Sequence, residues 1–184
     1  TYTLNTQGQK NARTVKFLRS TFESAGSLLG LFNLRTGRDT LSNRDFGTLF
    51  GIRYAQFVKF DNDFRISRSL HDRSSIAFRL AAGIGVPFSN LEVLPFESAF
   101  FGGGANGLRA WQARSLGPGS YSAPLFAYDR VGEIRLEANF EYRFKLIGYL
   151  EGALFTDVGN IWNRHKDPER PGAEFEPVDF LSEL

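Results

Sequence analysis

Residues 132–144 read Gly-Glu-Ile-Arg-Leu-Glu-Ala-Asn-Phe-Glu-Tyr-Arg-Phe, so that Ile134, Leu136, Ala138, Phe140, Tyr142 and Phe144 alternate with Arg135, Glu137, Asn139, Glu141 and Arg143. Successive side chains of a strand point to opposite faces, which gives this segment one apolar, aromatic face and one face of full charges. A half-exposed strand of a soluble β-sandwich has the same period. A membrane barrel is distinguished by repetition, in segments near the ~9–11 residues with which a tilted strand crosses a bilayer.

The pattern does repeat, and predicts five strands near 12–25, 48–70, 74–88, 132–144 and 149–162. In the second, Val58, Phe60, Phe64 and Ile66 oppose Lys59, Asp61, Asp63 and Arg65. In the third, Ile76, Phe78, Leu80, Ala82, Ile84 and Val86 oppose Ser75, Ala77, Arg79, Ala81, Gly83 and Gly85, and the second set shrinks toward its end, leaving space for something to pack. The connections alternate in length. Residues 26–46 and 89–131 are long, His71-Asp72-Arg73 and Lys145–Gly148 are short, and a charged stretch follows 162. Up-and-down outer-membrane barrels have short periplasmic turns and long outer loops, so the alternation also orients the strands.

The expectation is an all-β, transmembrane, antiparallel up-and-down barrel. Five strands cannot close one, because an open edge in lipid leaves backbone groups unpaired. The chain has no Met, opens on Thr1-Tyr2-Thr3 and ends on a polar stretch, so amino-terminal domains and the closing strands are expected to lie outside it. Composition agrees: 19 Phe and 19 Gly favour strands, interfaces and turns. The lack of Cys excludes disulfide and thiol chemistry, and a net charge of +2 points away from nucleic acid. No apolar run approaches the ~18 residues of a transmembrane helix. His71 and His165 are far apart and lack a neighbouring nucleophile, so no catalytic residue, metal site or cofactor is expected.

The connection 89–131 is far longer than a hairpin needs, and a loop beyond ~12–15 residues is usually functional or disordered. It contains Phe100-Phe101-Gly102-Gly103-Gly104-Ala105-Asn106-Gly107-Leu108-Arg109-Ala110-Trp111, then Arg114-Ser115-Leu116-Gly117-Pro118-Gly119. So many aromatics disfavour disorder, and an ordered, inward-folded loop is expected. Gly102 to Gly107 formally satisfies a G-x-G-x-x-G nucleotide fingerprint, but that motif needs a following helix, which this glycine- and proline-broken stretch does not offer.

On these residues the chain resembles the BamA/TamA outer-membrane assembly proteins, the bacterial surface antigen family. Their hallmark is a long outer loop folded back into the barrel, with a (Val/Ile)-Arg-Gly-(Phe/Tyr) motif at its tip. Leu108-Arg109-Ala110-Trp111 is similar to that motif, preceded by the phenylalanine and glycine run, including Gly102, Gly103 and Gly104, that the family also shows. Asn139-Phe140-Glu141-Tyr142-Arg143-Phe144 and Phe155-Thr156-Asp157-Val158-Gly159-Asn160-Ile161-Trp162 look like the next two family strands, in the right order. Leu116-Gly117-Pro118-Gly119 and the long loops resemble the TamA-like branch of Bacteroidetes. The likeness covers 74–162 well and 12–70 in general character. Ala110 stands where the family has glycine, and Trp111 where it has Phe or Tyr, which puts a positive φ at 110 in question.

The resemblance implies a barrel of about sixteen strands, of which these five would be the ninth to thirteenth. It implies that Arg109 is the loop arginine and that Asp157 and Glu141 are the inward carboxylates that hold it, whereas on the residues alone Arg109 could be an exposed loop arginine and the two acids simply wet. It also implies an integral protein of a Gram-negative outer membrane that inserts and folds other barrel proteins, without enzymatic chemistry. Its partners would be outer-membrane lipids, unfolded β-barrel clients, and accessory periplasmic or lipoprotein subunits. A two-partner-type secretion pore shares the loop, and a passive porin or a barrel enzyme is the reading from another class. Arg79 and Arg114 read as solubilising lumen charges, Trp162 as a possible interfacial girdle residue, and 167–171 as a solvated loop.

Overall fold

The segments with the clearest alternation form the longest strands. In the computed structural model, which describes residues 1–6, 13–28, 35–38, 45–50, 52–122, 130–180 and 182–184, these are β2 (Thr14–Ala25), β6 (Phe57–His71), β7 (Ser74–Pro87), β8 (Ile134–Lys145) and β9 (Glu151–Trp162). A short edge strand, β1 (Tyr2–Asn5), pairs with β2. Together they make one open antiparallel sheet in the order β1-β2-β6-β7-β8-β9. Parts of both long connections, 29–34, 39–44 and 123–129, lie outside the described residues.

Register turns the alternation into rows across the sheet. One outer row runs Phe22, Phe60, Ile84, Ile134 and Trp162. Two inner rows run Phe17, Arg65, Arg79, Asn139 and Asp157, and Ser67, Ala77, Glu141 and Phe155. Burial is inverted relative to a soluble protein: Phe22 is 64% and Leu154 66% exposed on the outer face, while Asp63 is 1% exposed on the inner one. A greasy outside is stable only against lipid, and the charges need the inner face.

The expected strand 48–70 is two things. Its second half is β6, but the first half turns back at Phe50, whose φ is 51°. There β4 (Asp45–Leu49) pairs with β5 (Ile52–Arg53) and with β3 (Arg35–Arg38) in a separate small sheet. Asn90, buried in the long loop, fixes that sheet: its Nδ2 donates to Gly47 O and Tyr54 O, and its Oδ1 accepts from Gly47 N at 2.8 Å. A side-chain amide substitutes here for a neighbouring strand.

Trp162 is not a girdle residue. It is fully buried beneath Phe175 and Phe180, at 5.4 and 5.6 Å between ring centroids, and its Nε1 donates to Glu183. The stretch after β9 folds back because Asn163 N donates to Ala173 O and Phe175 N to Asn163 O, laying 173–180 over the end of the outer face. The free edge of β9 is closed at the same level. Ile161 N donates to Asn160 Oδ1, and Ile161 O accepts from Gly119 N at 2.7 Å.

Candidate functional site

The long loop lies on the charged face, and small residues of β7 make the room. A Cβ added to Gly85 would stand 2.3 Å from Leu94 Cδ1, and one at Gly83 would stand 2.5 Å from Phe100 Cζ. Phe100, itself buried, exchanges both backbone hydrogen bonds with Gly132, and its ring lies 4.3 Å from Lys59 Nζ and 5.2 Å from the Arg135 guanidinium carbon. Phenylalanine thus fills the cradle and stacks with two cations, Lys59, which donates to Ser98 O, and Arg135, which is paired with Asp61.

Beyond this anchor the chain doubles back. Gly102 pairs with Leu116, Gly104 N donates to Trp111 O, and Arg114 N donates to Gly102 O. Gly103 has a φ of 88° and its Cβ would meet Gln112 O at 2.2 Å, so that position admits no side chain. Leu108 is buried beside the tip, and Trp111 is half exposed. Ala110 is absent from the positive-φ residues, so this tip does not need the glycine that the related motif carries; the left-handed positions fall instead at Gly103, Gly104 and Arg114.

The tip delivers Arg109 onto three residues of β8 and β9. Its Nε and Nη2 donate to Asp157 Oδ2 and Oδ1, both at 2.8 Å, in the bidentate fork that suits a carboxylate. Its backbone N donates to Asp157 Oδ2 at 3.1 Å, and Nη1 donates to Glu141 Oε2 at 2.5 Å. Phe155, one turn of the pleat from Asp157, lies flat beneath the guanidinium with 3.7 Å to its centroid. The bond to Asp157, opposed by partial burial and aided by Glu141, pushes the Arg109 pKa further above its already high range, so the side chain stays charged. The structure therefore brings Arg109, Asp157 and Glu141 together.

A second tier sits beside it. Asp63 receives a fork from Arg65, with both N–O distances 2.8 Å, and Arg79 at 3.2 Å, while Arg79 Nη1 reaches Glu137 Oε2 at 3.0 Å. Arg79 is thus a specifically bound group and not a solubilising charge. Arg114 stacks over Phe96 and Phe101, at 4.5 and 5.1 Å. Among the described residues no three His, Asp or Glu groups come together as a metal site.

A loop arginine bound from the charged face of a membrane-type sheet is the arrangement to which the family comparison adds an identity. Residues 32–176 match the Omp85 superfamily domain. The chain belongs to the Omp85 superfamily. Omp85 proteins are outer-membrane proteins of Gram-negative bacteria and organelles, concerned with polypeptide insertion or secretion and generally without enzymatic activity. No curated protein matches the chain. In this Omp85 domain the inner face is the barrel lumen. Sequence reasoning missed Phe155, Asn139 and the Asp63–Arg79–Glu137 tier; the available signal was Arg65 opposite Arg79 across β6 and β7, a like-charge pair that is destabilising unless an acid joins it.

Proposed function

We propose that this chain is the loop-bearing part of a Gram-negative outer-membrane barrel that inserts and folds other β-barrel proteins. The observation that carries this is the docking of Arg109 on Asp157, Glu141 and Phe155, which fixes a long loop inside the lumen instead of leaving the pore open as a porin would. No covalent chemistry is required. Clients would be templated by strand pairing at a seam elsewhere in the barrel, because an unpaired strand edge is a ready partner for another chain. Lipids on the outer rows and accessory periplasmic or lipoprotein subunits complete the proposed set of partners.

In this reading the clamp braces the barrel and does not touch clients. Charge reversal tests it: Arg109→Glu and Asp157→Arg alone should each reduce the amount of folded client barrels in the outer membrane, and the double reversal should restore part of it. Equal defects in all three would refute the pairing. Normal client assembly with export of a soluble polypeptide lost would replace the insertion reading with the secretion one.

A further inference from the structure

The loop clamp and the ion network of the strand wall meet at one neutral side chain. Asn139 Oδ1 accepts from Arg79 Nη1 at 3.1 Å, and Nδ2 donates to Gly107 O at 2.8 Å and to Asp157 Oδ1 at 2.9 Å. We propose that Asn139 is the positioning residue of the loop, joining the wall to the docked tip through an amide that reads the Gly107 carbonyl and aims the Asp157 carboxylate at Arg109. The inference concerns how the loop is held, whichever polypeptide the barrel handles.

The environment fixes which way the amide points. Its oxygen faces a guanidinium, and its nitrogen faces a carboxylate and a carbonyl; the opposite orientation would set donor against donor and acceptor against acceptors. Arg79 is itself held by Asp63, 1% exposed, and by Glu137, 4% exposed, so the oxygen end is anchored in the buried part of the wall. At the other end, Asn139 Nδ2 and Arg109 Nη2 share Asp157 Oδ1, which leaves Oδ2 free to accept both Nε and the backbone N of Arg109. Only an amide of this length supplies an acceptor on one side and two donors on the other. Aspartate at 139 would keep the Arg79 bond, lose both donors, and place a second carboxylate beside Asp157.

The test uses the full-length protein inserted in membrane and reads tryptic cleavage of the Arg109–Ala110 bond, which the docked loop protects. Cleavage tracks the population of undocked loop when docking is fast. Asn139→Asp is expected to raise cleavage by about ten-fold or more, and Asn139→Ala by less. In the Asp157→Asn background, where no carboxylate remains at 157 to be aimed at Arg109, Asn139→Ala should raise cleavage by clearly less than it does in the unaltered protein. A rate for Asn139→Asp within about two-fold of the unaltered protein, or an Asn139→Ala effect undiminished in the Asp157→Asn background, would overturn the proposal. Should Asn139→Asp fail to insert, Asn139→Ala with and without Asp157→Asn decides alone. Effects that multiply in full would overturn the coupling, and effects that fall short of multiplying would support it. Client assembly is not read in this experiment, so its outcome is separate from that of the functional proposal.

Discussion

Substituting Gly83 by alanine asks whether the loop is anchored by shape. The added methyl would stand 2.5 Å from Cζ and 2.6 Å from Cε1 of Phe100, well inside the ~3.5–4.0 Å at which carbons are in contact. The ring has little room to retreat, since its backbone is paired with Gly132 in both directions, at 2.9 and 2.8 Å, and Lys59 and Arg135 flank it. In the strand alone, alanine is favoured over glycine by ~0.5–1 kcal/mol because it has less backbone freedom to lose. The wall should therefore hold and the strain should fall on the loop. Keeping the ring in place costs ~1–3 kcal/mol of overpacking, and releasing it forfeits ~1.5–3 kcal/mol of burial. Either route lies near 2 kcal/mol, or roughly 30-fold in the undocked population. The assay is the rate of proteolytic cleavage within 94–116 in the inserted barrel, with Phe100→Leu added to relieve the clash. An unchanged rate in a folded Gly83→Ala barrel, or no recovery with the second change, would refute the cradle.

Arg109→Lys keeps the charge but cannot hold both oxygens of Asp157 and Glu141 together, so the loop should loosen by ~1–2 kcal/mol, less than with Arg109→Ala, in the same proteolytic assay. Asp63→Asn leaves Arg65 and Arg79 adjacent without their shared anion and should destabilise the barrel by ~3–5 kcal/mol, read as a lower temperature at which the folded form converts in a semi-native gel. Phe175→Ala removes the edge-on partner of Trp162 and should shift the emission of that tryptophan to the red as water reaches it; an unchanged spectrum would contradict the packing of 173–180 over the strand end.

The long strands were legible because two signals coincide in them: a period of two, and full charges that can occupy only one face. Ser74–Pro87 and Ile134–Lys145 lie within a few residues of the expected 74–88 and 132–144 on that basis. The stretch before Phe57 was misread because its turn depends on a left-handed Phe50 and on Asn90, some forty positions away, neither of which leaves a local pattern. Trp162 was placed on the outer face, where its register does put it, but its cover comes from Phe175 and Phe180, a return of the chain that alternation cannot encode. At the site, Arg109, Asp157 and Glu141, which the structure brings together, are singled out in the sequence only by the family resemblance. Asn139 is not, because an asparagine on a charged face is unremarkable until register sets it between Arg79 and Asp157.

The closure of the β9 edge at Ile161 limits how any adjoining strand can grow. Both polar groups that Ile161 turns outward are already satisfied, one by its own neighbour Asn160 and the other by the Gly119 amide from the loop. That rung offers no free donor or acceptor of its own to an added strand. The loop is therefore a cap as well as a filling: a strand added to this edge would meet, at Ile161, backbone groups that already have partners.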